Sequence, residues 1–228
     1  MKKLVVLTGA GMSADSGVKT FRDHDGLWEN HRIEEVATPE AWLQNPRLVM
    51  KFYNQRRKQL FEVEPNDGHK GLVKLEDKFE VHIVTQNVDD LHERAGSSNV
   101  LHLHGELKKV RSTVDPDLIY KLNGWELKFG DKCEKGSQLR PHIVWFGESV
   151  PMIEPAFKIV SQAEILLVIG TSMVVYPAAG LINYVSQEVP KYYIDPKAFP
   201  VSGVENLTII KERAAVGVPK LVEELLNG

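Results

Sequence analysis

Four groups of residues in this sequence have types and spacings suited to chemistry. The segment Leu101-His102-Leu103-His104-Gly105 alternates, so a strand would carry His102 and His104 on one face. Such a pair can ligate a metal, serve as hydrogen-bonded sheet residues, or, for His104 beside Gly105 at a strand end, act as a general base. Thr85-Gln86-Asn87-Val88-Asp89-Asp90 gathers amide and carboxylate side chains that suit a ribose and a carboxamide. Helix capping accounts for one Asn or Asp here, but not for Gln86 and Asn87 as well. Gly9-Ala10-Gly11-Met12-Ser13-Ala14 fits G-x-G-x-x-G/A, a turn that brings backbone to a pyrophosphate and aims helix N–H groups at it. Val49, Phe52, Tyr53, Arg56 and Leu60 share one helical face. On it Tyr53 and Arg56 can converge on one spot, and a planar guanidinium suits a carboxylate. An internal acid, or solvent beside Arg57 and Lys58, is the other destination for Arg56.

The elements that must position these groups follow from apolar patterning. Apolar, mostly β-branched runs at 4–7, 81–85, 100–104, 143–146, 165–169, 192–194 and 207–210 predict strands. Helical patterns at 48–61, 88–95, 155–163, 178–185 and 219–226 lie between many of them. This alternation implies right-handed βαβ units, hence an α/β fold with a Rossmann-like parallel sheet and helices on both faces. In such a sheet the carboxyl ends of the strands face the ligand. Residues 19–75 and 107–140 break the rhythm and read as two insertions building a smaller lobe on a core of about 1–18, 76–106 and 141–228, all one unit. A dehydrogenase would place a second strand ending in an acid about 20 residues beyond the glycine turn. Here Phe21-Arg22-Asp23-His24-Asp25-Gly26-Leu27-Trp28 is a polar loop, which disfavours hydride transfer. Its arginine and two large aromatics suit a segment closing over one end of a dinucleotide.

The chain has 228 residues, 43% apolar and 26% charged, enough for one substantial core with an insertion. A net charge of −3 and a pI near 6.3 provide no basic field, so neither nucleic acid nor an anionic membrane is an expected partner. The single cysteine, Cys133, excludes an intramolecular disulfide and a four-cysteine zinc site. No apolar run approaches spanning length, and the N-terminal one meets Gly9 too early for a secretory signal, so a cytoplasmic protein is expected.

Taken together, the sequence resembles the sirtuin family nearly end to end, and most closely its short bacterial members. The resemblance rests on Gly9-Ala10-Gly11-Met12-Ser13-Ala14-Asp15-Ser16-Gly17-Val18 with Phe21-Arg22, then Thr85-Gln86-Asn87-Val88-Asp89 and His104-Gly105. Val144-Trp145-Phe146-Gly147-Glu148 and Gly170-Thr171-Ser172 complete it. It implies NAD⁺-dependent deacylation of protein lysines, with nicotinamide and O-acyl-ADP-ribose as products. His104 would deprotonate the ribose, Asn87 order ribose and water, Gln86 contact the ribose and Asp89 hold the carboxamide. Phe21 and Arg22 would lie over the reacting end. Gly9, Ala10, Gly11, Ser13, Gly170, Thr171 and Ser172 would serve the phosphates, and Tyr193, Asp195 and Ala214 the adenosine, with Tyr193 standing where asparagine is common. Val144, Phe146 and Gly147 would pair with the substrate backbone as an added strand. The rivals are an NAD⁺ glycohydrolase or ADP-ribosyltransferase, and a non-catalytic NAD-binding module.

Two departures follow from the resemblance. Family members that remove succinyl or malonyl groups carry a Tyr-x-x-Arg pair, matched by Tyr53 and Arg56, although His24 stands where a small residue is usual. Most members hold the second insertion with zinc on two cysteine pairs; here Ser112 takes the first cysteine's place and only Cys133 remains. Asp115, Asp117, Asp131, Glu134 and His142 are scattered potential ligands, so zinc is expected to be absent, with Leu118, Tyr120, Leu122, Trp125 and Phe129 packing the segment instead.

Overall fold

The structure, a computed structural model, describes residues 1–19 and 31–228. In chain order its strands are β1 (Lys2–Thr8), β2 (Phe79–Thr85), β3 (Val100–His102), β4 (Gly105–Ser112), β5 (Ile119–Lys121), β6 (Leu139–Ile143), β7 (Ile165–Ile169), β8 (Lys191–Ile194) and β9 (Leu207–Ile210). The α-helices are α1 (Gly11–Ala14), α2 (Ile33–Val36), α3 (Pro39–Gln44), α4 (Pro46–Leu60), α5 (Asp67–Lys74), α6 (Leu91–Ala95), α7 (Ile153–Val160) and α8 (Ala214–Asn227).

Six strands form one parallel sheet in the order β3-β2-β1-β7-β8-β9. The central strands are apolar on both faces because both faces are covered: β7 is buried along its whole length. One side packs Leu4, Val6, Ile83 and Leu167 against Leu72 of α5 and Val218, Leu221 and Val222 of α8. The other packs Val5, Leu166 and Val168 against Ala156 and Val160 of α7 and the 3₁₀ turn Ala178–Tyr184. The chain builds β1, β2 and β3 outward in one direction and β7, β8 and β9 in the other, so the strand order switches between β1 and β7.

The second sheet is antiparallel, ordered β5-β4-β6. Its residues show little periodicity in sequence because β4 changes register between Gly105 and Val110, which destroys the two-residue alternation. Helix α4 packs on this sheet through Met50 against Val110 and Leu127, and through Val49, Phe52 and Tyr53 against Leu107, Ile143 and Trp145.

Several expectations are corrected. The strand anticipated at 143–146 ends at Ile143, runs from Leu139, and belongs to the small sheet. Helix α5, which the boundary drawn at residue 75 assigns to the first insertion, places Leu72 in the core of the main sheet. Residues 178–184 form a 3₁₀ helix rather than an α-helix. Helix α8 begins at Ala214, five residues ahead of the pattern at 219–226, and keeps Pro219 inside it. Trp125 and Phe129, expected as packing residues, are exposed, and their faces are covered by Lys58 and Arg47. Among the described residues no helix is long and apolar enough to cross a membrane.

Candidate active site

The candidate residues cluster where the fold leads a ligand to be expected, along the carboxyl edge of the main sheet. Moving across it, His104 follows β3, Gln86 to Asp89 follow β2, Gly9 to Ser13 follow β1, Gly170 to Ser172 follow β7, Asp195 follows β8 and Ala214 follows β9. At the switch point the turns after β1 and β7 touch as bare backbone. The Gly11 N–H donates to Gly170 O at 2.8 Å, and a Cβ on Gly9 would stand 2.7 Å from the same oxygen. Gly170 has φ +61°, and a Cβ there would meet Met12 N at 2.2 Å. One expectation fails here. Helix α1 is a single turn, and the N–H groups of Gly9, Gly11, Met12 and Ser13 all donate to backbone carbonyls. They are not aimed outward at a pyrophosphate.

Side chains from neighbouring strand ends are tied to one another. The Ser13 hydroxyl, fully buried, donates to Asp89 Oδ2 at 3.0 Å and accepts from Asn87 Nδ2 at 3.2 Å. Asp89 Oδ1 accepts the Leu91 N–H at the start of α6, so this residue both stabilises the helix start and joins the site. Burial pushes the Asp89 carboxyl upward, against these two donors. Gln86 Nε2 donates to Thr171 Oγ1 at 3.3 Å, linking the turns after β2 and β7 across β1. Tyr193 is buried with its hydroxyl donating to Thr171 O at 2.8 Å, so it supports that turn from below. Ser172 is half-buried beside it, Ala214 is buried at the head of α8, and Asp195 Oδ1 accepts the Lys197 N–H.

The two histidines, expected on one face, have separate fates. His102 bonds Asn87 O through Nδ1 at 2.9 Å and the Glu93 carboxylate through Nε2 at 2.7 Å. Burial opposes its charge, but Glu93 outweighs burial and raises its pKa. It is a satisfied structural residue. His104 donates Nδ1–H to Gln86 O at 3.1 Å, which leaves Nε2 as the unprotonated nitrogen. Burial lowers its pKa, with the Gln86 bond opposing. His104 is therefore a neutral imidazole presenting a basic nitrogen. Among the described residues no cluster of His, Cys, Asp or Glu could hold a metal ion.

Residues 9–177 match the Sir2 family. The chain belongs to the Sir2 family. It is 55% identical over 229 residues to a Helicobacter pylori protein named NAD-dependent protein deacylase, covering 100% of this chain and 99% of that one. A Bacteroides thetaiotaomicron protein of the same name is 53% identical, with 99% of each chain covered. A crystal structure of a Sir2 homolog–NAD complex superposes with a TM-score of 0.89 at 40% identity, covering 99% of this chain and 90% of that one.

In this Sir2-family chain the face of α4 expected to line a pocket is buried throughout, from Val49 to Leu60 and including Tyr53 and Arg56. Trp145 Nε1 donates to the Tyr53 hydroxyl at 3.1 Å, and burial pushes the phenol's pKa upward. Arg57, expected at the surface, is fully buried instead. It donates to Leu107 O, to Trp125 O and to Asn54 Oδ1, pinning α4 to the small sheet. Residues 144–147 are not a strand, and the N–H groups of three of them are engaged internally: Val144 to His104 O, Trp145 to Glu148 and Phe146 to Ala37 O. An added peptide strand cannot pair through those three groups. Phe146 is exposed and Gly147 has φ +88°. Phe21, Arg22 and His24 lie outside the described residues.

Sequence reasoning missed what holds this loop. Arg140 makes a two-point contact with Glu148, at 2.7 and 3.0 Å, and lies 3.3 Å over the Trp145 ring. Arg111 reaches the same carboxylate at 3.2 Å. The signal was present in the sequence as an acid three residues from an aromatic, with arginines on two strands, but only the fold brings them together. Burial opposes the Glu148 charge, yet the arginines and the Trp145 N–H lower its pKa. Its stabilising contribution is thus complete above the ordinary glutamate range near 4.3 and disappears as pH falls through the lowered folded value. Glu148→Ala should cost about 2–3 kcal/mol in urea unfolding at pH 7, with the gap to the parent protein narrowing below pH 4. An unchanged midpoint at pH 7 would contradict this account.

Proposed function

We propose that this chain removes acyl groups from protein lysines with NAD⁺ as co-substrate, releasing nicotinamide and O-acyl-ADP-ribose. The carrying observation is the neutral His104, anchored at Nδ1 and basic at Nε2, at one end of a continuous row of polar strand ends. The bare backbone meeting of Gly9, Gly11 and Gly170 fits the close approach of a dinucleotide, and the amides of Gln86 and Asn87 with the buried Asp89 fit a ribose and a carboxamide. NAD⁺ supplies a ribose carbon that the acyl oxygen attacks as nicotinamide leaves. His104 Nε2 takes a ribose hydroxyl proton, and that oxygen attacks the acyl carbon. With the addition of one water the C–N bond to the lysine breaks, the protonated amine leaving as free lysine and the acyl group staying on the ribose. Asn87, fixed by Ser13, orients the sugar, while Asp89 holds the departing carboxamide. Phe21, Arg22, Ala10, Ser172, Asp195 and Ala214 complete the cofactor contacts in this reading, with Tyr193 acting through Thr171.

The Tyr53–Arg56 pair supports acceptance of succinyl and malonyl groups alongside acetyl. Val144, Phe146 and Gly147 face the substrate backbone. Zinc is not needed to hold the second insertion. Ser112, in the place of the first cysteine, and Cys133 both bond Ser137, with Ser112 Oγ to Ser137 Oγ at 2.9 Å and Cys133 Sγ to Ser137 Oγ at 3.1 Å. A net charge of −3 and a pI near 6.3 favour a protein without nucleic-acid or anionic-membrane partners, and a cytoplasmic location belongs to this reading.

Nicotinamide release from NAD⁺ should require an acetylated or succinylated peptide; equal release without peptide would make the chain a glycohydrolase. His104→Asn should lower turnover about 10²- to 10⁴-fold, and because burial depresses the imidazole pKa, the acid limb of kcat/KM should fall below pH 6.5. Arg56→Met should cost desuccinylation about 2–4 kcal/mol of transition-state binding while sparing deacetylation, and equal loss of both would refute the pocket. Elemental analysis of the purified protein should find no stoichiometric zinc.

A further inference from the structure

Beneath the glycine turn lies a polar pair that the proposed reaction does not use. His69 of α5 and His92 of α6 are 0% and 1% exposed, and their rings meet edge to face with centroids 4.9 Å apart. Their surroundings fix the tautomer of each. The Asn66 backbone N–H donates to His69 Nδ1 at 3.3 Å, so the His69 proton is on Nε2. The Thr8 hydroxyl donates to Thr85 Oγ1 at 2.7 Å and therefore accepts from His92, whose proton is also on Nε2, at 3.1 Å. What remains is complementary. His69 Nε2–H is a buried donor and His92 Nδ1 a buried acceptor, and neither has a partner among the described residues. Buried polar atoms are seldom left in that state.

We propose that His69 and His92, through their edge-to-face contact, join two hydrogen-bonded segments into one polar chain and act as positioning residues for the dinucleotide site. The chain runs from Asn66 N–H to His69, across the ring contact to His92, from His92 Nε2–H to Thr8, and from Thr8 to Thr85. Its two ends hold the two halves of the site. At the first, Asn66 Nδ2 donates to Met12 O at 2.8 Å and Ser16 Oγ at 3.0 Å, gripping the segment that follows the glycine turn. At the other, Thr85 Oγ1 accepts the Asn87 N–H at 3.0 Å, setting the residue whose side chain reaches Ser13. The direction is forced, because a backbone N–H can only donate. Neutral rings are required, since an imidazolium has no acceptor. Burial lowers both pKa values, that of His69 to about 4, despite the charge of Glu93 on α6; His102 of β3 and His69 itself further disfavour charge on His92.

The positioning role rests on the NAD⁺ reading, whereas the chain itself does not, and two measurements separate them. Long-range ¹H–¹⁵N correlation spectra of the ligand-free protein should show both histidines as neutral Nε2–H tautomers from pH 6 to 8. An Nδ1–H or charged ring at either position would overturn the chain. In steady-state kinetics, His92→Leu and Thr8→Val should raise KM for NAD⁺ about tenfold with a smaller change in kcat. His92→Gln, which keeps a donor toward Thr8, should recover most of the loss. A melting temperature that falls with KM for NAD⁺ unchanged, or a glutamine variant as impaired as leucine, would overturn the positioning role. Should the variants not fold, the tautomers of the native protein decide. A native protein that does not bind NAD⁺ would remove the role together with the deacylase reading, and intact tautomers would identify that reading as the one at fault.

Discussion

The contact between Gly11 and Gly170 governs how the rest of the site is assembled. Strands β1 and β7 are hydrogen-bonded neighbours, yet the chain leaves them in opposite directions across the sheet. The turns that follow would diverge if side chains stood between them. Without side chains they close to a direct N–H to carbonyl bond of 2.8 Å. That contact brings Thr171 within reach of Gln86 and seats it over Tyr193. It also holds the start of α1, which places Ser13 against Asn87 and Asp89. A methyl group at any of these glycines would meet backbone at under 3 Å, where no side-chain rotation relieves the clash.

Electrostatic differentiation comes next, and His102 and His104 illustrate it. They are two residues apart, both largely buried and both bonded through Nδ1 to a carbonyl of the turn after β2. The difference is one carboxylate. Glu93 lies 2.7 Å from His102 Nε2 and stabilises its charged form, whereas no described carboxylate bonds His104, and burial alone shifts it toward neutrality. One ring becomes part of the framework and the other retains a basic nitrogen for proton transfer.

Much of this was legible in the sequence. The parallel strands announce themselves as apolar runs because both faces of the sheet are covered, and the polar residues that end those runs necessarily lie on the ligand edge. Gly9, Gln86, Asn87, Asp89, His104 and Thr171 could therefore be assembled before any coordinates. The small sheet could not. Its central strand is interrupted by a register shift, and its strands expose one face, so neither hydrophobic run nor alternation survives. Buried arginines were equally hidden: Arg57 was placed toward solvent and Arg140 drew no reading, because their partners are mostly backbone carbonyls and an acid on another loop. The direction of the N–H groups in the glycine turn was misjudged for a related reason. The motif indicates where backbone comes close but not which of its donors are already engaged by the neighbouring turn.

These hidden cations explain how the outer part of the small lobe keeps a definite shape. The larger apolar cluster, with Val49, Phe52, Tyr53, Leu107 and Trp145, lies on one side of it, and the cluster beyond consists only of Met50, Val110 and Leu127 with a few half-buried neighbours, which supplies modest burial energy. Guanidinium groups take over the task of orientation. Arg57 ties α4 to the chain at Leu107 and Trp125, and Arg140 ties β6 to Glu148 while covering Trp145. Trp145 in turn donates to Tyr53, which closes the path back to α4. Buried ion pairs of this kind add little net stability, because desolvation offsets their attraction, but they disfavour alternative arrangements that leave a charge unmatched. Geometry rather than stability is what a loop beside a reactive site requires. Hydrogen bonds add a further tie at Ser112, Cys133 and Ser137, which join the end of β4 to the segment leading into β6.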